Sequence, residues 1–227
     1  MHTRGKATGA AIVALLALGP AACSGGSSGS SPSKPGSKSD KPTTTAAPQK
    51  PAALVLQGHT YQVPDPLPAG KPGTVLATEE QDPAPRLANA QRTRFLYRSE
   101  DLKGRPSAVS GVLLVPKGTA PKGGWPVIAW GHGTTGVADV CAPSQTDNLF
   151  YNEYAQEATS FLEAGYAVVA TDYIGLGTPG MHGYLVGRDE GNAVVDSVRA
   201  AHQLSPDLAA DWFAVGHSQG GQAALFA

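Results

Sequence analysis

Cysteine is nearly absent: Cys23 and Cys141 are the only two in 227 residues. Two cannot make a disulfide framework or a four-ligand zinc site. A surplus of either charge is also missing. Seventeen Lys and Arg face eighteen Asp and Glu, for a formal net charge of −1. Nucleic-acid binders normally carry a clear basic excess, so that partner is not expected. No apolar run approaches the ~20 residues a membrane-spanning helix needs. Residues Ser24–Pro51 contain no Val, Ile, Leu, Met or aromatic side chain. No carboxylate or histidine cluster stands at ligand spacing, so no metal or organic cofactor is implied.

Apolar residues still make up 41% of the chain, enough for a core. The 28 glycines and 19 prolines are unevenly spread, and they divide the chain. Residues 1–22 open with Arg4 and Lys6 and no acid. The apolar run Ala10–Leu18 and the small residues Ala21 and Ala22 follow. This is the pattern of an export signal, a basic head, a short apolar stretch and a cleavage site. Cys23 comes directly after. The arrangement resembles a bacterial lipoprotein signal, in which that cysteine is acylated and anchors the chain to a membrane. It departs from that pattern at Pro20, where Leu is usual. The alternative is a plain secretory signal cleaved near Ala22 that leaves Cys23 free. Residues 23–52 read as a Ser, Gly, Pro, Lys and Thr stalk that cannot bury enough surface to offset its ordering entropy. Loss of residues 1–22 leaves 15 basic against 18 acidic residues, a mildly acidic exported domain.

Residues 53–227 alternate strand and helix patterns. Thr93–Arg98 sets Phe95 and Tyr97 against polar neighbours, as a half-buried antiparallel strand does. Ala108–Val115 and Trp125–Trp130 are more continuously apolar, as strands covered on both faces are. A helix is predicted from about Asn152, with Ala155, Ala158, Phe161, Leu162 and Gly165 on one side. Tyr166–Thr171 reads as a buried strand, and a second helix as running from about Glu190 to before Pro206. Asp211–Gly216 reads as a further strand. This order predicts an α/β fold, a mostly parallel sheet with helices on both faces.

The last strand leads into Gly216-His217-Ser218-Gln219-Gly220 and then an apolar helical stretch. G-x-S-x-G alone is a weak signal; between a strand and a helix it marks a nucleophile elbow. Ser218 is then held on a strained turn with its hydroxyl lifted above the sheet. Gly216 and Gly220 remove Cβ atoms where strand and helix close together, and Gly221 adds room. The N–H of Gln219, at the helix start, faces the oxyanion of a tetrahedral intermediate. Gly131-His132-Gly133-Thr134-Thr135-Gly136 follows the Trp125–Trp130 strand. It has the small residues of a loop that supplies the second oxyanion donor, taken here as the N–H of Thr134. No Gly-Lys-Ser/Thr follows to suggest phosphate binding.

GHGTTG at Gly131–Gly136, ATDYIGLG at Ala170–Gly177 and GHSQGG at Gly216–Gly221, with KGRPSAVSGVLLVPKG at Lys103–Gly118, resemble the secretory lipase family of α/β-hydrolases. The resemblance extends over about Gly73–Ala227. It implies a carboxylic ester hydrolase of lipase type, acting on triacylglycerol or a related lipid ester. It also implies Ser218 as nucleophile and Gln219 and Thr134 as oxyanion donors. Asp172 and Tyr173 are expected to be structural or substrate-facing.

The triad order of that fold is Ser, then Asp or Glu, then His. Nine residues follow Ser218, and none is acidic or His. The expectation is an N-terminal portion, truncated after the elbow and inactive alone. His59, His132, His182, His202 and His217 are each read as structural. Cys141 either pairs with a cysteine elsewhere or remains a buried thiol. The competing class is a non-catalytic, membrane-tethered module that binds lipid or another partner on a decayed hydrolase scaffold. Oligomeric state is not legible.

Overall fold

The computed structural model describes residues 61–82, 84–147, 149 and 152–227. The expected signal at 1–22, the stalk at 23–52, the acylated Cys23 and His59 lie outside the described residues.

Among the described residues, six strands and three α-helices carry the fold: β1 Val75–Gln81, β2 Ala90–Glu100, β3 Pro106–Pro116, β4 Trp125–Gly131, α1 Asn152–Glu163, β5 Ala167–Thr171, α2 Gly187–Leu204, β6 Leu208–Gly216 and α3 Gln219–Phe226. The strands form one sheet in the order β1-β2-β3-β5-β4-β6. The sheet is mixed rather than mostly parallel. β1, β2 and β3 pair antiparallel, and β3 also meets β5 antiparallel. Only β5, β4 and β6 run parallel. Short connections link β1 to β2 and β2 to β3, and a short connection reverses the chain. A helix lies between β4 and β5 and between β5 and β6, the crossover that successive parallel strands of one sheet require.

Helices cover both faces, as expected. Alternation along the strands divides the core in two. Val109, Leu113, Val127, Ala129 and Val169 face α2 and α3, packing with Ala193, Val194, Val198, Ala223 and Ala224. Val112, Leu114, Ile128, Trp130 and Val168 face α1, against Tyr154, Ala158 and Leu162. Those three helix residues are spaced four apart, so they lie along one stripe of α1. Each fully buried Val or Leu contributes about 1.5–3 kcal/mol of transfer free energy.

β2 is not half-exposed. It runs from Ala90 to Glu100, and Arg92 and Arg94 are buried beside Phe95, Leu96 and Tyr97. The guanidinium groups are accommodated because carbonyl oxygens meet their N–H donors. Arg92 donates to the Thr146 carbonyl at 2.7 Å and the Asp147 carbonyl at 2.9 Å, and Arg94 Nε donates to the Ser144 carbonyl at 3.0 Å. These two side chains therefore pin the 144–147 loop beside the sheet. β1, VLATEEQ, has no apolar alternation in its second half. It stands at the sheet edge, paired with β2 alone among the described strands.

Candidate active site

β6 ends at Gly216, and α3 begins at Gln219, so only His217 and Ser218 make the bend. Ser218 has φ 53° and ψ −114°. A non-glycine residue in that region stores about 1–3 kcal/mol of strain, which the surrounding structure must hold. The glycines show how. A Cβ on Gly216 would overlap the Gly220 carbonyl, and one on Gly220 would overlap the Gly131 carbonyl. A Cβ on Gly221 would lie 3.5 Å from the Gly216 oxygen, an ordinary contact. Gly216 and Gly220 are thus required by close backbone approach, whereas the extra room expected of Gly221 is not needed.

Ser218 is exposed, and its hydroxyl does not cap α3. The Gly131–Gly133 segment packs directly on the bend. His217 N–H donates to the Gly131 carbonyl at 3.2 Å, and a Cβ on Gly133 would come within 2.9 Å of His217 Nδ1. Thr134, the next residue, is exposed, and its Oγ1 lies 3.0 Å from the Tyr184 hydroxyl. Among the described residues the backbone N–H groups of Thr134 and Gln219 enter no hydrogen bond, while those of Gly220, Gly221 and Gln222 are all used within the turn.

Asp172 and Tyr173, expected to be structural or substrate-facing, are both buried. The Asp172 carboxylate accepts the Ser110 hydroxyl at 2.6 Å and the Ser144 N–H at 2.9 Å. Burial raises its pKa against those hydrogen bonds. Tyr173 has φ 71°, and its hydroxyl donates to the His132 carbonyl at 2.9 Å. His132 lies between this ring, 4.5 Å away by centroids, and the loop it belongs to. Its Nδ1 faces the Gly133 carbonyl at 2.6 Å, and burial lowers its pKa from 6.5 to about 4. It is therefore neutral at pH 7 and braces the loop.

Among the described residues no histidine is hydrogen-bonded to Ser218. His182 Nδ1 donates to the Ile174 carbonyl at 3.0 Å, and its Nε2 accepts from Gln219 Nε2 at 3.1 Å. His202 faces the Val198 and Ala209 carbonyls, each at 2.9 Å. His217 is exposed and lines an open depression of about 300 Å³ with Tyr154, Gln156, Glu157 and Ser160. Cys141 is a partly exposed free thiol lodged against Gly136.

Sequence reasoning missed Glu190. It lies buried in the first turn of α2 and accepts a hydrogen bond from the Gln219 side chain at 2.7 Å. Burial raises its pKa, opposed by that bond and by one from Leu185 N–H. No local motif signals such a residue, because its side-chain partner, Gln219, lies 29 residues away.

Residues 152–227 match the family model described as secretory lipase. Among solved structures, a ligand-bound form of the rice cell wall degrading esterase LipA from Xanthomonas oryzae is 26% identical, with a TM-score of 0.56. That match covers 69% of this chain and 45% of LipA. Candida antarctica lipase A in its closed state matches at 21% identity and a TM-score of 0.54, over 69% of this chain and 37% of its own, a likeness of fold. The chain thus spans less than half the length of either. Curated proteins gave no match. Residues 152–227, the stretch that carries both ATDYIGLG and GHSQGG, match the secretory lipases, the family the sequence resembles.

Proposed function

We propose that this chain carries the nucleophile and the anion-binding half of a carboxylic ester hydrolase of lipase type. One observation bears most of the weight: a strained, exposed Ser218 on a bend against which the Gly131–Gly133 loop packs, with the backbone N–H groups of Gln219 and of Thr134, the next residue of that loop, unengaged among the described residues. Ser218 Oγ attacks the ester carbonyl carbon while a base takes the hydroxyl proton. The carbonyl oxygen becomes an oxyanion that the two N–H groups receive. Collapse expels the alcohol and leaves an acyl-serine, which water hydrolyses. Electrostatic stabilisation by prearranged donors is worth about 10²–10³ per donor. The substrate follows from the family match: a lipid ester, with triacylglycerol in the same class.

Among the described residues no histidine is hydrogen-bonded to Ser218 to serve as its base. Removing the triad histidine alone costs about 10⁶ in turnover in a serine protease, so this chain is expected to show no Ser218-dependent hydrolysis of p-nitrophenyl butyrate. A burst that disappears in Ser218→Ala contradicts that. Free imidazole can stand in for the missing base. With a fluorophosphonate, Ser218 Oγ attacks phosphorus, fluoride leaves, and imidazole takes the proton. Mass-mapped labelling at Ser218 that rises with imidazole supports the nucleophile; labelling no faster than at the exposed-helix Ser160 sinks it.

That no histidine among the described residues meets the Ser218 hydroxyl is what favours the second reading, a non-catalytic module that binds lipid or a partner. Export and tethering belong to the same proposal. A secretory family match supports export, and acylation of Cys23 would hold the domain at the outer face of the cell membrane. Palmitate incorporation in the native host that is lost in Cys23→Ser is the expected result; incorporation unchanged by that substitution contradicts it.

A further inference from the structure

The Glu190 carboxylate has no part in the chemistry above, yet its Oε1 receives hydrogen bonds from two separate segments. The Gln219 side-chain amide donates at 2.7 Å, and Leu185 N–H donates at 3.0 Å. The Gln219 amide also donates to His182 Nε2, and His182 is fixed in turn because its Nδ1 proton goes to the Ile174 carbonyl. Both amide protons of Gln219 thus meet acceptors. Turning the amide over would set its oxygen against the same two acceptors, so only one orientation is favoured.

Leu185 is equally constrained. It has φ 58°, and its carbonyl accepts from the Gln222 side chain of α3 at 3.2 Å. Its neighbour Tyr184 meets Thr134 Oγ1. One carboxylate oxygen therefore touches the residue that carries one oxyanion N–H. It also touches the loop that contacts the residue carrying the other.

We propose that Glu190 is a positioning residue that holds Gln219 and Thr134 in register, so that their N–H groups converge on one point. This rests on the reading of Ser218, Gln219 and Thr134 given above. Hydrogen bonds weaken steeply as they bend. A donor lost outright costs about 10²–10³, and one merely tilted is expected to cost about tenfold. An acidic residue in a first helical turn also stabilises the helix through its dipole. That role alone would not involve the Gln219 side chain, which separates the two.

The test is imidazole-dependent fluorophosphonate labelling of Ser218 in the full chain. Glu190→Ala and Gln219→Met are expected to label about tenfold more slowly. Glu190→Gln keeps an acceptor at the same place and is expected to stay within about threefold of wild type. The ³¹P resonance of the adduct, which responds to hydrogen bonds at the phosphoryl oxygen, should move in the two slow variants and return in Glu190→Gln. Gln219→Met leaves the backbone N–H and the bulk in place, so it decides the matter if Glu190→Ala does not fold. Wild-type labelling rates in Gln219→Met and Glu190→Ala overturn the positioning role and leave the nucleophile standing. A wild-type chain unlabelled at Ser218 overturns the nucleophile, and the positioning role with it.

Discussion

The side chain of an alanine at position 220 would overlap the Gly131 carbonyl and come within 2.8 Å of the His132 carbonyl, both backbone groups that cannot swing aside. Gly220→Ala is therefore expected to cost about 3 kcal/mol or more in denaturant unfolding, at the upper end for overpacking. Gly104→Ala is the comparison. It has φ 73° but nothing within 4 Å, so it should cost only about 1–2 kcal/mol, from backbone conformation alone. Equal losses in the two would show that the elbow does not depend on close approach. At this scale the sequence was legible where geometry forces a residue type, as at Gly216 and Gly220. It was silent where a residue is chosen by distant partners. Arg94 read only as a polar neighbour of Phe95, and Arg92 fell outside the expected strand, because nothing local reveals the carbonyls of 144–147 that receive them.

Among the elements, α1, α2 and β5 could be read from period and length, because each buries a continuous stripe or run; β6, buried only at Leu208 and Ala214, was legible from the apolar residues leading into Gly216. α2 starts at Gly187 rather than at Glu190, and β6 at Leu208 rather than at Asp211. β1 was invisible because an edge strand has one partner and little to bury. The loop after β4 illustrates how an element can be held by a neutral buried histidine. His132 has a folded-state pKa of about 4 against 6.5 unfolded, so between those values the unfolded chain binds the proton more tightly. Its contribution is fully present above pH 6.5 and is lost as pH falls toward 4, roughly 3 kcal/mol in all. Asp172, Glu190 and Asp196 have raised pKa values and act in the opposite sense, favouring the fold as they take up protons. Comparison of wild type with His132→Asn cancels those carboxylates. The stability gap between them should shift by roughly 3 kcal/mol between pH 6.5 and 4; a gap that stays constant with pH contradicts a buried, neutral His132.

Over the whole molecule, the six-stranded sheet ends on β6, which pairs only with β4 among the described strands. The half-buried Trp212, Phe213 and Val215 lie along this open edge. Unpaired edges template association with other chains. Light scattering should therefore show concentration-dependent aggregation, and the exposed substitution Ala210→Lys should delay it. A wild-type chain that remains a monomer and melts cooperatively at high concentration would contradict this. The central claim is that Ser218 faces a hole made by two N–H groups from separate segments of the fold. The crystal structure of its fluorophosphonate adduct measures this directly. The phosphoryl oxygen is expected about 2.7–3.1 Å from the nitrogens of both Gln219 and Thr134. An adduct whose oxygen points to solvent, or reaches Gln219 alone, would contradict the account.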